Sequence, residues 1–331
     1  RERRVLKQLN KIKWKGQIYL FMAFSLAGTS VVSARFISDQ IGVFTITSIS
    51  LMFAFLFLLP VCGRKLFKSL KALSANDFFL FSLQAVFGIF LFRIFLLNGL
   101  PLTSSIEAGI LIGTTPAITA VLAIIFLKEP FNMRNIAGII ATAVGVMTMQ
   151  GLFTNDSNFT LRHLLGNLLV LCAATCESIF NILSRLVIAR NGPTKKHEVP
   201  PHVQTAFVIA IAFILCLIPA LFEDPFHRLS AAELKDWLSL VWYGVFVTAM
   251  AFMFWYSGIK RCDAYTAAAF SGMMPLTSMV LSVIILGEQA SWQQLLGGLL
   301  VLSGMILTGL ATASAKDSDP HRINYYEQTV K

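Results

Sequence analysis

Apolar stretches of about 20 residues recur along this chain from one end to the other. A stretch of that length crosses the roughly 30 Å hydrocarbon core of a membrane as an α-helix. The stretches do not alternate between polar and apolar residues, which disfavours the strands of a membrane barrel. The sequence therefore predicts an all-α polytopic membrane protein with ten transmembrane helices. They are expected at 16–34, 41–60, 78–99, 104–127, 135–153, 164–186, 203–222, 237–259, 264–286 and 292–312.

The composition agrees with this class, because only 13% of the 331 residues are charged and 56% are hydrophobic. Soluble proteins carry about 25% charged residues, and this chain lacks the polar residues needed to cover a surface that faces water. The five cysteines show no metal-binding spacing. A phosphate loop, a zinc-binding HExxH motif and a nucleophile elbow are all missing. We therefore expect neither an enzyme nor a bound cofactor or metal.

The positive charge is unevenly distributed between the two predicted sides of the membrane. With the N-terminus inside, the inner segments carry 22 of the 27 Lys and Arg residues, four lie outside and Arg93 lies within a span. Basic residues accumulate on the cytoplasmic side of membrane proteins. The sequence thus predicts cytoplasmic N- and C-termini, at 1–15 and 314–331. The net charge of +10 marks topology and requires no nucleic-acid partner.

Residues 98–150 overlay residues 257–309 without gaps and share eleven identities, among them Gly113 with Gly272 and Pro116 with Pro275. The chain is therefore predicted to contain two halves of five spans each. An odd number of crossings inserts the second half upside down, as an inverted-topology repeat. Lys128 and Arg134, between spans 4 and 5, have no basic counterparts between spans 9 and 10. The first connection is predicted to lie inside and its copy outside, where basic residues are disfavoured.

The segments LTSSIEAGILIGTTPAITAVLAIIFLKEPF, at 102–131, and AYTAAAFSGMMPLTSMVLSVIILGEQ, at 264–289, carry a family resemblance. With the ten spans, they resemble the EamA-type transporters of the drug/metabolite transporter superfamily. The resemblance implies repeats at 16–153 and 164–312, joined by an external linker at 154–163. It also implies export or exchange of a small molecule by alternating access, through a central cavity lined by spans 1, 3, 4, 6, 8 and 9.

Three ionisable residues lie deep enough in predicted spans to be costly, namely Arg93, Glu177 and, nearer a membrane surface, Glu107. Charges at that depth usually face a cavity or a partner. Glu177 is a candidate for a substrate amine or for a proton, and Arg93 for a carboxylate or phosphate. The alternative is structural, because Arg93 could neutralise Glu107 or Glu177. Arg35, at the end of span 1, is predicted to extend to the membrane surface.

Other residues complete the predicted site. Asn181 and Ser184 share a helical face with Glu177, and Pro116 and Pro275 are expected to kink spans 4 and 9. Trp255 and Tyr256 could form an aromatic wall with Phe92 and Phe95, although aromatic stripes are more often packing. The predicted substrate-binding set is Arg93, Glu177, Asn181, Glu107, Asn98, Thr114, Phe92, Trp255, Tyr256 and Ser271.

Spans 5 and 10 are expected to serve packing rather than binding. The glycines of span 5, Gly138 and Gly145, and those of span 10, Gly297 and Gly304, suit close helix contact. They also offer a face for a homodimer. Glu129 and Glu288 lie at span ends and are predicted to cap or bond the following helix.

The leading functional prediction is a secondary transporter, exporter or exchanger, of a small charged or zwitterionic metabolite such as an amino acid or a nucleoside-containing zwitterion. Protons or a counter-substrate are possible coupling partners, and the bacterial inner membrane is the expected location. One alternative is a proton-coupled exporter of amphipathic cationic drugs. Another is a membrane receptor or assembly component, which the inverted repeat disfavours because alternating access explains that symmetry.

Overall fold

The computed structural model describes residues 2–37, 41–63, 65–66, 68–69, 73–127, 133–149, 160–190, 199–262, 267 and 270–316. Every secondary-structure element in these ranges is a helix. Six helical stretches are long and apolar enough to cross a membrane. The predicted class, an all-α polytopic membrane protein, is confirmed. The count of ten crossings and the side on which the termini lie stay predictions.

The described helices overlap all ten predicted spans. In chain order they are α1 Glu2–Arg35, α2 Val43–Cys62, α3 Ala75–Leu102, α4 Ser105–Ile112, α5 Thr115–Leu127, α6 Met133–Met149, α7 Leu161–Arg190, α8 Pro201–Leu221, α9 Pro225–Ser230, α10 Leu234–Ile259, α11 Met273–Leu286 and α12 Trp292–Lys316.

Two of these helices contain a π-helical segment. It spans Val86–Leu91 in α3 and Tyr243–Met250 in α10. The repeat offset of 159 residues places the first segment on 245–250, so the two halves share this irregularity at matching positions. Single-turn π-bulges within α-helices frequently occur at functional sites, and these segments therefore mark α3 and α10 for closer inspection.

The predicted fourth span is interrupted rather than continuous. The helix α4 ends at Ile112, and α5 begins at Thr115 after Gly113 and Thr114. Pro116 is thus the second residue of a new helix, where proline is tolerated because helix-start amides have no intrahelical partner. The sequence predicted a kink at Pro116, and the structure replaces it with a break one turn earlier. In the second half, Gly272 precedes α11 and Pro275 is its third residue.

The helices α6 and α12 pack against each other through their glycines. A Cβ on Gly145 would lie 2.8 Å from the carbonyl oxygen of Gly297, and one on Gly304 would lie 2.6 Å from that of Gly138. Small residues allow helix backbones to approach this closely. The close packing is as predicted, but it occurs within one chain. A homodimer stays a prediction, and it would need a surface other than these glycines.

Buried apolar residues form two clusters. One joins α1, α4, α7 and α10, and the other joins α2, α3, α7 and α8. Glycine also allows close contact between the inner helices, since a Cβ on Gly28 of α1 would meet the backbone oxygen of Met274 at 2.5 Å. The helices α1, α4, α7, α10 and α11 therefore surround one central region, and the candidate site lies there.

Candidate central binding site

The interruptions of the two halves meet in the centre of the molecule. A Cβ on Gly113 would lie 3.0 Å from Cγ of Pro275, so the break between α4 and α5 touches the start of α11. One turn earlier, a Cβ on Gly109 would clash with the side chain of Ser278. Interrupted helices expose backbone groups that regular helices bond internally, and such pairs form substrate sites in repeat-built transporters.

Glu177 faces the first interruption. Its carboxylate oxygen Oε2 lies 3.2 Å from Oγ1 of Thr115, the first residue of α5. The hydroxyl of the neighbouring Ser178 lies 3.0 Å from the carbonyl oxygen of Thr115 and 2.8 Å from that of Ala174 in its own helix, so its one proton is shared between them. The helix α7 thus docks onto the start of α5 through two adjacent side chains. Glu177 is half-buried as a residue, and its carboxylate lies at the interruption through its contact with Thr115.

The polar stripe predicted beside Glu177 is only partly available. Asn181 lies one turn further along α7 and is half-buried. Ser184 is fully buried and donates its hydroxyl to the carbonyl oxygen of Phe180 within the same helix at 2.8 Å. The stripe therefore reduces to Glu177 and Asn181 as groups that can reach a ligand.

Arg93 is enclosed between α2, α3 and α10 with 3% of its surface exposed. Its guanidinium donates to the hydroxyls of Ser50 and Thr248, and its carbon Cζ lies 4.2 Å from the ring centre of Tyr243. Both hydroxyls donate onward to backbone carbonyls, so they offer only lone pairs to Arg93. The guanidinium therefore sits in a cradle of neutral acceptors.

The predicted ion pair of Arg93 with Glu107 or Glu177 is wrong for the described part of the chain. Neither carboxylate bonds Arg93, because Glu107 bonds His163 and Glu177 lies against Thr115. The two acids project from α4 and α7 toward other helices. Within the described ranges Arg93 has no carboxylate partner, although a buried charge is costly without one.

The predicted aromatic wall takes a different form. Phe180 of α7 stacks on Phe252 of α10 with 5.1 Å between ring centres, and Phe24 of α1 meets Trp255 edge-on at 5.5 Å. Tyr256 is buried and donates its hydroxyl to Oε1 of Gln84 at 2.7 Å. Phe92 and Phe95 pack against the same buried cluster, but among the described rings neither pairs with Trp255 or Tyr256. The aromatic residues that join α7 to α10 are therefore Phe180 and Phe252, which sequence reasoning did not select.

Glu107 lies away from the interruption, at the start of α4. Its side chain is 11% exposed, and its Oε2 lies 2.7 Å from Nε2 of His163. Asn167 and Gln294 also donate to the carboxylate, and the hydroxyl of Thr103 lies within hydrogen-bond distance of it and of Oδ1 of Asn167. Arg35 does not simply extend to the surface as predicted, because it donates to Oγ of Ser105 and to the carbonyl oxygen of Thr103.

The remaining predicted site residues divide into two groups. Thr114 lies in the interruption and donates to the carbonyl oxygen of Leu111 at 2.7 Å, and Ser271 is half-buried just before Gly272. Asn98 is exposed and bonds the carbonyl of Ile94 in its own helix, so the structure leaves it outside the central region. Glu288 caps α4 through the amides of Ser105 and Ile106 rather than the helix that follows it. Glu129 lies outside the described residues.

Sequence reasoning missed two buried glutamines. Gln204 of α8 donates to Oε1 of Gln84 in α3 at 3.2 Å, and both are at most 3% exposed. An uncharged amide within an apolar span is a weaker signal than a charge, but polar residues in spans usually bond across helices. Scanning the spans for Gln as well as for charged residues would have found both.

The comparisons with known proteins agree with this architecture. The profile of the EamA-like transporter family matches residues 14–150 and again residues 164–310, most of the chain. The chain belongs to the EamA-like transporter family. The two matched ranges lie close to the repeats predicted at 16–153 and 164–312.

Relatives of this EamA-like protein are named as transporters. The uncharacterized transporter YetK of Bacillus subtilis (strain 168) is 30% identical over 297 residues, which cover 88% of this chain and 86% of the relative. A probable terminal-alkyne amino-acid exporter of Streptantibioticus cattleyicolor is 25% identical, with 62% of this chain and 64% of the relative covered.

A solved crystal structure also shares the fold of the EamA-like chain. It superimposes with a TM-score of 0.60 at 18% sequence identity, and the match covers 91% of this chain and 98% of the other. At that identity the likeness shows the fold alone. Family and relatives together identify an integral membrane transporter of the drug/metabolite transporter superfamily.

Proposed function

We propose that this protein is a secondary transporter, an exporter or exchanger, that moves a small charged or zwitterionic metabolite by alternating access. The observation that carries the proposal is the contact between the two interrupted helices, Gly113 against Pro275, with Glu177 at the start of α5. Substrate sites of repeat-built transporters lie at the interface of the repeats, near the middle of the membrane, and are formed by such interrupted helices.

The charges around this centre suit a substrate that carries both signs. Glu177 and Asn181 are half-buried on α7 and provide acceptors for a substrate ammonium group. Arg93 supplies a guanidinium that has no carboxylate partner among the described residues, and a guanidinium binds a carboxylate through two parallel hydrogen bonds.

The stacked pair Phe180–Phe252 connects α7, which carries Glu177, to α10, which carries a partner of Arg93. Phe180 follows Glu177 by one turn of α7, and Phe252 follows Thr248, the partner of Arg93, by one turn of α10. An amino acid or a nucleoside-containing zwitterion fits this order of acid, apolar surface and base. The relative named as a probable amino-acid exporter supports the amino-acid class.

The remaining parts of the proposal concern setting and coupling. We place the protein in the bacterial inner membrane, which the bacterial relatives support. Protons or a counter-substrate drive transport, with Glu177 as the proton-coupling residue. The chain acts alone or as a homodimer whose interface does not use the glycines between α6 and α12.

A second candidate is a proton-coupled exporter of amphipathic cationic drugs. It is favoured by one observation: Glu177 lies one helical turn before Phe180, whose ring stacks on that of Phe252. Carboxylates and aromatic rings both attract cations that carry apolar groups. The two candidates differ at Arg93, because a cationic drug gains nothing from a guanidinium.

Uptake into liposomes tests the proposal. Purified protein is reconstituted and offered radiolabelled amino acids, nucleotides and cationic dyes, each with and without a pH gradient. Saturable uptake of a zwitterion that Arg93→Ala abolishes supports the leading candidate. Uptake of dyes alone, unaffected by Arg93→Ala, supports the drug exporter. Failure to move any compound above protein-free liposomes would favour a receptor or assembly component instead.

A further inference from the structure

One carboxylate gathers partners from several helices at the end of the bundle that topology predicts to be external. Oε2 of Glu107 lies 2.7 Å from Nε2 of His163, and 3.2 Å from Nδ2 of Asn167, both on α7. Oγ1 of Thr103 lies 3.1 Å from the same oxygen and closer to Oδ1 of Asn167, so its one proton is shared between the two acceptors. Oε1 accepts from Nε2 of Gln294, on α12, at 3.0 Å.

Two further charged residues fasten the same end of α4. Arg35 is the last residue of α1. Its Nε donates to Oγ of Ser105 at 2.9 Å, and its guanidinium also donates to the carbonyl oxygen of Thr103. Glu288, in the connection between α11 and α12, accepts hydrogen bonds from the backbone amides of Ser105 and Ile106 at 3.1 and 3.0 Å. The start of α4 is therefore bonded to α1, α7, α12 and the connection that precedes α12.

The helix that these bonds hold is short and ends at the central site. The eight residues of α4 span about 12 Å from Ser105 to Ile112. Its other end is the interruption at Gly113 and Thr114, where the backbone can change direction without breaking helix bonds inside α4. A movement of α4 about this interruption would separate its bonded end from α7 and α12 and open the centre to that side.

We propose that the cluster around Glu107 is the outer gate of the transport site. Glu107 is a positioning residue that holds α4 against α7 and α12 in the closed state, and the cluster separates when the site opens outward. This inference rests on the proposed transport function. The charged or titratable groups that face the carboxylate and its immediate partners in the described ranges are His163, Arg35 and Glu288.

The location of the cluster suits repeated opening. Asn167, Thr103 and Ser105 are buried, whereas the side chain of His163 is 34% exposed. Groups near water are rehydrated when their bonds break, so that separation costs less than it would in mid-membrane. The sequence places Thr266 where the repeat would have a second Glu107. The gate carboxylate therefore belongs to one half and to one side of the membrane.

Side-specific labelling tests the gate without a known substrate. The five native cysteines are replaced, and Asn181→Cys or, separately, Thr114→Cys reports access to the centre. A membrane-impermeant maleimide is applied to the outer face of right-side-out vesicles. We expect Glu107→Ala to raise the outer labelling rate about tenfold or more, the shift expected from losing one hydrogen bond to a charged group.

Partial changes should give graded results. His163→Ala and Gln294→Ala each remove one partner and should raise outer labelling less than Glu107→Ala does. Glu107→Gln keeps the shape but not the charge, and should fall between wild type and Glu107→Ala. Lys235→Gln is the matched control. It breaks an exposed ion pair in which Nζ of Lys235 lies 3.1 Å from Oε2 of Glu233, at the same predicted external end of the bundle. Its labelling rate should equal that of the parent protein.

Two results would overturn the gate. One is an unchanged outer labelling rate in the folded variants at both reporter positions. The other is an equal rise in labelling from both sides, which would mean general loosening. If Glu107→Ala does not fold, the outer labelling rates of His163→Ala and Gln294→Ala test the gate by themselves. Because labelling needs no transported compound, a failed gate and a failed transport function give different results.

Discussion

Thr115 has one hydroxyl proton and two oxygen neighbours. Its Oγ1 lies 2.7 Å from the carbonyl oxygen of Ile112, which has lost its usual helical partner because Pro116 has no amide proton. We therefore assign the hydroxyl proton of Thr115 to the bond with the carbonyl oxygen of Ile112. A lone pair of Oγ1 then faces Oε2 of Glu177 at 3.2 Å. A protonated Glu177 would donate to that lone pair. This geometry supports the proposed proton-coupling role.

We predict that Glu177→Gln separates coupling from binding. The amide keeps the shape and can still donate to Thr115, but it cannot release a proton. Accumulation driven by a pH gradient should fall to background, while substrate counterflow is retained. Uptake into liposomes with and without the gradient measures both. Gradient-driven uptake that survives intact would remove Glu177 from proton coupling and leave it as a substrate or structural partner.

Arg93 should be needed for transport more than for folding. In Arg93→Ala, the hydroxyls of Ser50 and Thr248 keep their bonds to the carbonyls of Thr47 and Tyr243, so no new buried donor is left unpaired. We expect an inserted, monodisperse protein that does not transport. Arg93→Lys keeps the charge but loses the two-pronged geometry, and should weaken substrate affinity by about 10- to 100-fold.

Size-exclusion chromatography and liposome uptake check the arginine prediction together. Arg162→Ala, which changes an exposed arginine at the start of α7, is the control and should transport normally. Loss of both Arg93 variants as misfolded material would show that the arginine serves structure. Normal transport by both would place it outside the site.

At the scale of elements, both halves break their regular helices at matching places. The interruptions precede Thr115 and Met273, and the π-helical segments lie in α3 and α10. By contrast, α6 and α12 carry glycines at their contact and show regular helices in their described ranges. The irregular helices surround the proposed site, and the regular pair packs together beside it.

Packing between α6 and α12 predicts a stability difference between two glycine positions. In Gly145→Ala the new Cβ would lie 2.8 and 2.9 Å from backbone atoms of Gly297 and Val301, so the helices must separate. Overpacking of this kind costs about 1–3 kcal/mol. In Gly298→Ala the nearest atom is Cδ1 of Ile110 at 3.4 Å, an ordinary contact with a flexible side chain.

Thermal unfolding of the purified variants in detergent measures this difference. Gly145→Ala should unfold at a lower temperature than the parent protein, and Gly298→Ala should remain within about 0.5 kcal/mol of it. Equal unfolding temperatures for the two variants would show that α6 and α12 do not approach as closely as described.

At the scale of the whole molecule, charge and repeat together fix the predicted orientation. Inner segments carry 22 of the 27 basic residues, and an odd number of spans in each half inverts the second half. The family profile matches the two halves separately, at 14–150 and 164–310. An even number of spans predicts termini on the same side, and the distribution of basic residues predicts that this side is cytoplasmic.

Cysteine labelling tests the orientation. In the cysteine-free protein, Asn10→Cys and Tyr325→Cys should react with an impermeant maleimide only after the inner face is opened. Position 325 lies outside the described residues, so the prediction for it rests on sequence. Ser230→Cys, exposed in α9 on the predicted outer side, should react in intact cells. Reaction of either terminal cysteine in intact cells would contradict the predicted cytoplasmic location of the termini.

The amino-acid sequence by itself determined the membrane class, the positions of the apolar helices, the repeat and the family resemblance. These follow from the length of apolar runs and from Gly and Pro, which act on the backbone locally. It also selected Arg93, Glu177 and Glu107 as costly charges. Their depth in apolar spans was sufficient for that selection.

Only the tertiary structure decided what those charges contact. Ser50 and Thr248 lie 43 and 155 residues from Arg93, and Gln294 lies 187 residues from Glu107. Which side chain meets which depends on how each helix is rotated and packed against its neighbours, and hydrophobic periodicity in nearly uniform apolar spans does not encode that rotation. In the structure, Arg93 bonds Ser50 and Thr248 rather than either acid. Glu107 bonds His163 and Gln294, in the cluster that we propose as the outer gate.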